Sequence, residues 1–174
     1  MFGELSLHFE TIVVLGFILA FIFNLSFFLL KLSQNSSLLF SSGVMAISYF
    51  LSNHFFDLIL GTSFQYLIWL AFDLVTISFI WLLHKVLKLR FSTASTYVFL
   101  GLSINSILFL LMHIDISLLA NRQHWWFWTT YSILVNVFDF LMVVALIINR
   151  DFLFIVKGGR KITKHFSRSE VQSN

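Results

Sequence analysis

The feature that most constrains this chain is the repeated disappearance of charge over stretches long enough to cross a lipid bilayer. Between Glu10 and Lys31, twenty consecutive residues, Thr11–Leu30, carry no ionisable side chain. A hydrocarbon layer about 30 Å thick needs roughly 20 mostly apolar helical residues. Within that layer backbone N–H and C=O groups must find partners inside the segment, which favours the α-helix. The same reading along the chain predicts spans at about 11–31, 37–58, 64–84, 93–114 and 125–149, then a basic tail over 151–174. The expected fold is an all-α integral membrane protein, a bundle of five transmembrane helices.

Composition agrees. The 174 residues are 59% hydrophobic and 11% charged, with a mean hydropathy of +0.91. Soluble domains are typically about 45–50% apolar and about 25% charged. The absence of cysteine excludes disulfides, thiolate metal sites and CxxC redox chemistry. With no proline, no helix is kinked by that route. The opening "MFGELSLHFE" has Glu4 and Glu10 but no Lys or Arg. It therefore lacks the basic region of a signal peptide, and the first apolar run reads as a permanent helix.

The second span is the softest, because it is serine-rich and contains His54. Positive charge gives an independent test, since Lys and Arg concentrate in short cytoplasmic connections. Five spans with the N-terminus outside put Lys31, Lys85, Lys88, Arg90, Arg150, Lys157, Arg160, Lys161, Lys164 and Arg168 inside. Only Arg122 falls outside, so ten of eleven cations obey the rule. With the N-terminus kept outside, deleting the second span would move Lys85, Lys88 and Arg90 outside. The expected topology is N-out and C-in. Compactness and the absence of an evident targeting segment point to the plasma membrane of a bacterium, the inner membrane where there are two.

The aromatic residues fit this frame. Tyr66 and Trp69 open the third span, and Trp125, Trp126, Trp128 and Tyr131 open the fifth, all at the outer interface where amphipathic rings collect. The three tryptophans at 125, 126 and 128 are expected to be lipid-facing anchors. Gly16 and Ala20, four apart on the first span, suit close helix packing within the chain.

Polar residues near the centre of these spans are the functional signal. Asp73, Asn105, Asn136 and Asp139 lie at similar depth on the third, fourth and fifth spans, with Asn24 of the first somewhat further in. Thr129, Ser132, Asn136 and Asp139 follow one another by 3, 4 and 3 residues and so share one helix face. Asp73 shares a face with Thr76 and, toward the outside, with Trp69 and Tyr66; Gly101 and Asn105 align on the fourth span. An ionised Asp at a helix centre costs about 2.5–3.5 kcal/mol on insertion scales, so the stripes are expected to turn inward. No Lys or Arg lies at that depth. The acids are then hydrogen-bonded in protonated form, matched by a bound cation, or open to water. Intramembrane acids point to function by default.

At the outer ends of the spans lie His54, Asp57, His113 and Asp115, with His8, Glu10 and His124 nearby. Histidine beside carboxylate can hold zinc or another divalent ion, and His54 and His113 are the weak metal candidates. There is no HExxH, no GxSxG and no phosphate-binding glycine loop, so no cofactor and no catalytic residue is implied. The polybasic tail suits attraction to anionic lipid and lacks what nucleic-acid binding requires.

The leading functional expectation is an ion- or proton-handling channel, permease or transporter-type component. Asp73 and Asp139 would form its site, with Asn105 and Asn136 as partners and the four outer residues at its mouth. It would act on a proton or monovalent cation, alone or as a homo-oligomer. A different class is an accessory, immunity or exclusion protein that binds another membrane protein. A third is an outer-face metal or haem enzyme.

Overall fold

A computed structural model describes residues 2–55, 58, 64–153 and 156–158, with 2–10 described in the backbone only. The regular elements among the described residues are helical. They are α1 (Phe2–Leu29), α2 (Ser36–His54), α3 (Gln65–Val86), α4 (Thr93–His113) and α5 (Trp126–Ile148). A single π-helical turn, Ile114–Leu118, extends α4.

Local chemistry explains the helix ends. Asn35 caps α2 by accepting the Leu38 N–H at 3.2 Å, and Ser92 caps α4 by accepting the Ser95 N–H at 3.0 Å. At the other ends, Lys31 and Lys88 adopt left-handed backbone with φ of 57° and 52°. The residues after them, Leu32 and Leu89, donate back to the carbonyls of Phe27 and His84 at 3.0 and 2.9 Å. This is the Schellman closure that glycine usually occupies. Two cations thus stop helices, at the end where the helix dipole favours positive charge.

The chain has four helices long and apolar enough to cross a membrane, at Thr11–Leu29, Gln65–Val86, Thr93–Leu118 and Trp126–Ile148. Helix α2 is not among them, because serine dilutes its apolar character. It nevertheless occupies a full place in the bundle. Packing runs in a ring from α1 to α2, α3, α4, α5 and back to α1, and α2 also touches α4 and α5. Ser37, Ser41 and Ser42 of α2 are buried against its neighbours, while α1 turns Ile12, Leu15, Leu19 and Ile22 outward. Polar residues facing in and apolar residues facing out invert the pattern of a soluble bundle.

A fully buried apolar layer flanks the polar centre. Phe17, Met45, Ile80, Leu102 and Met142, one from each helix, are at most 1% exposed. Gly101 lets α4 and α5 approach: a Cβ there would lie 2.5 Å from the Met142 sulfur. Gly16 plays a milder version of the same part, since a Cβ there would lie 3.1 Å from Val143. Fully buried Ala20 lies one turn further along that face, so the small-residue pair of α1 serves packing against α5 within the chain.

Candidate functional site

Asp139 of α5 is buried and holds two donors on one oxygen. Tyr49 of α2 donates its phenolic hydrogen to Asp139 Oδ1 at 2.6 Å, and Asn105 of α4 donates from Nδ2 to the same atom at 2.7 Å. Three helices therefore converge on one carboxyl oxygen. Asn105 is the partner that its depth led one to expect; Tyr49 is an addition from the serine-rich helix. The Tyr49 ring also packs on Phe17 of α1, with centroids 4.3 Å apart.

Asp73 of α3 is equally buried, yet its Oδ2 has no hydrogen-bond partner. The Asn105 Oδ1 is likewise unpartnered. Asp73, Asp139 and Tyr49 all line one cavity of about 200 Å³. Its wall takes residues from the last turns of α2, the first turns of α3, the outer half of α5 and Val13 and Val14 of α1. The cavity thus lies toward the bundle end where α3 and α5 begin. Met45, Ile80, Leu102 and Met142 of the apolar layer do not line it.

Asn136 also lines the cavity but does not reach Asp139. Its Nδ2 donates back to the Ser132 carbonyl at 2.7 Å, a bond within its own helix. The α5 stripe is therefore graded, with Thr129 and Ser132 exposed, Asn136 half-buried and Asp139 buried. Asn24 serves as interhelical glue, donating to the Leu146 carbonyl at 3.1 Å. Thr76 donates to the Phe72 carbonyl at 2.7 Å, which leaves its oxygen to accept from Ser48 at 2.5 Å.

One to two turns from the acids, toward the end where α3 and α5 begin, stands a closed circuit of rings. Tyr66 meets Trp69 at 5.6 Å, Trp69 meets Phe109 at 5.8 Å, Phe109 meets Tyr131 at 6.1 Å, and Tyr131 meets Tyr66 at 6.0 Å between centroids. All four contacts are tilted or edge-on, the arrangement that the ring quadrupoles favour. Trp69, Phe109 and Tyr131 face the cavity.

The outer residues separate into different roles. Asp115 is buried and accepts the indole N–H groups of Trp125 and Trp128 at 3.0 and 2.6 Å, together with Asn121 Nδ2 at 3.2 Å. It ties the connection between α4 and α5 to the start of α5. Of the three tryptophans expected as anchors, Trp126 is 67% exposed, whereas Trp125 and Trp128 also work inside the protein as donors. His54 is exposed and stacks on Phe50 at 6.4 Å. His113 is buried with its Nδ1 unpartnered. Asp57 lies outside the described residues. Among the described residues no three His, Asp or Glu side chains gather as a metal site.

A second polar cluster sits at the opposite end. His84 of α3 is buried, stacked on Phe91 at 4.3 Å, and its Nδ1 donates to the Ile80 carbonyl at 2.7 Å. Its Nε2 lies 2.8 Å from Ser37 Oγ. The donor accounting closes around it. With His84 Nε2 as acceptor, one consistent assignment has Ser37 donating to it, Ser95 donating to Ser37 across 3.0 Å, and Ser41 and Ser92 donating to Ser95 across 2.8 and 2.7 Å. The Ser92 N–H also donates to Ser37, at 3.0 Å. Spacing in sequence gave no warning of this network, because its members come from α2, α3 and the start of α4. Each hydroxyl is already committed and buried, so the cluster is a clamp rather than a nucleophile.

Comparison with protein-family models, curated proteins and solved structures finds no match for this chain.

Proposed function

We propose that this chain is a five-span membrane protein, N-terminus outside and basic tail inside, that handles a proton or monovalent cation at its acidic centre. The observation that carries the reading is the shared cavity: two buried carboxyls on α3 and α5 face one vestibule, and one of them has an oxygen with no donor. An unsatisfied buried acceptor costs about 1–3 kcal/mol, and a fold retains such a cost most readily where a ligand relieves it. The apolar layer inward of the site argues for a carrier or a gated path over a standing pore. Helix α2 completes the fifth crossing: its 19 residues extend about 28 Å at 1.5 Å per residue, and its serines face protein rather than lipid.

The test is transport by the whole protein in proteoliposomes. Imposed pH, Na⁺ or K⁺ gradients should dissipate faster than in protein-free vesicles. Equal rates for all three would refute the reading.

A further inference from the structure

We infer that the vestibule is a binding site for a small organic ammonium ion, its charged nitrogen at Asp73 and Asp139 and its hydrocarbon body against the aromatic wall. This rests on the acidic site proposed above and specifies its ligand. Three observations converge. First, the Asp73 Oδ2 is buried in the cavity with no donor. A protonated amine carries N–H donors as well as charge and so meets both needs of that atom.

Second, the rings stand where the rest of such a molecule would lie. Trp69 is one helical turn outward of Asp73, Phe109 one turn outward of Asn105, and Tyr131 two turns outward of Asp139, and all three line the cavity. Aromatic faces attract alkylated and aryl ammonium ions through the ring quadrupole. The edge-on circuit with Tyr66 holds these rings in place.

Third, the size fits. The cavity of about 200 Å³ exceeds the roughly 150 Å³ that accommodates benzene in an engineered core. A bare divalent metal ion would leave most of this space and all of the aromatic wall unused. It would also need several oxygen ligands at once, whereas Asp139 Oδ1 already receives Tyr49 and Asn105.

The experiment is calorimetric titration of the full chain in nanodiscs with benzylammonium, with benzyl alcohol as the neutral analogue and empty nanodiscs subtracted. Saturable benzylammonium binding is expected, at least tenfold tighter than benzyl alcohol. Asp73→Asn and Asp139→Asn should each weaken it tenfold or more, and Trp69→Leu severalfold. Far-ultraviolet circular dichroism and size exclusion establish that each variant is folded; Asp73→Asn, at a carboxyl whose Oδ2 has no donor, keeps the test usable if Asp139→Asn is not. Absence of saturable binding, equal affinity for the neutral analogue, or full affinity in folded Asp73→Asn would each overturn the inference. If proton, Na⁺ or K⁺ flux is present while benzylammonium neither binds nor competes, the organic ligand fails and the acidic site stands. If neither flux nor binding occurs, both fail.

Discussion

Tyr49 and Asp139, ninety positions apart, are joined by a hydrogen bond of 2.6 Å that links the least apolar helix of the bundle to the most central acid. With Asn105 on the same oxygen, Asp139 is a structural junction as well as a charged group. Asp73, across the cavity, supports nothing by hydrogen bonding through Oδ2. This asymmetry yields opposite expectations for the two acids.

Asp139→Asn keeps an oxygen acceptor for both donors and should leave the thermal midpoint in detergent nearly unchanged. Asp139→Leu strands the Tyr49 hydroxyl and the Asn105 amide in a buried place, at about 1–3 kcal/mol each, and should unfold at clearly lower temperature. Equal midpoints for the two variants would show that the junction carries no load.

Asp73→Leu removes an acceptor that is buried without a donor and places apolar volume beside an open cavity. Replacing such a group with a well-packed apolar one is neutral to stabilising. Its midpoint should equal or exceed that of the wild type, in contrast to Asp139→Leu. A loss as large as that of Asp139→Leu would mean that Asp73 is held by a bond its geometry does not reveal.

The contact of α4 with α5 should respond to a single methyl group. Gly101→Ala pushes a carbon into Met142 and should cost about 1–3 kcal/mol of overpacking, more than Gly16→Ala, which meets Val143 at 3.1 Å. The double variant Gly101→Ala, Met142→Ala should be less destabilised than the sum of its parts by about 0.5–3 kcal/mol. Additive losses by chemical denaturation would contradict the close approach.

The serine and histidine clamp makes a similar claim at the opposite end of the bundle. Ser37→Ala leaves His84 Nε2 buried without its hydroxyl and should cost about 1–3 kcal/mol. Adding His84→Phe, which keeps the stack on Phe91, should recover much of that loss. No recovery would indicate that Ser37 acts only by packing.

Topology is open to a clean chemical test, because the chain has no cysteine of its own. Lys88→Cys and Gln123→Cys place single thiols in the connections after α3 and before α5. A membrane-impermeant maleimide should label Gln123→Cys from outside and Lys88→Cys only after the membrane is opened. The reverse pattern would place the basic tail outside and overturn the proposed topology.

Much of this organisation is legible in the sequence, and the limits are physical. Charge-free runs mark the apolar helices, because lipid tolerates little else for twenty residues. Asp73, Asn105 and Asp139 stand out, because such residues are costly at mid-membrane and rare there. Tyr49, His84 and Ser37 give no comparable signal: tyrosine and serine are ordinary in any helix, and His84 lies among interfacial residues near Lys85. Their roles arise from which helices become neighbours, and that is set by packing such as Gly101 on Met142. Asn136 shows the converse, since a shared helix face with Asp139 does not oblige two side chains to meet.

The central claim is that Asp73 and Asp139 together form a cation-handling site, and paired variants in proteoliposomes test it most directly. Measured under an imposed pH gradient and under Na⁺ and K⁺ gradients, Asp73→Asn and Asp139→Asn should each lower the wild-type flux at least tenfold while remaining folded and correctly inserted. Wild-type flux in both folded variants would contradict the account.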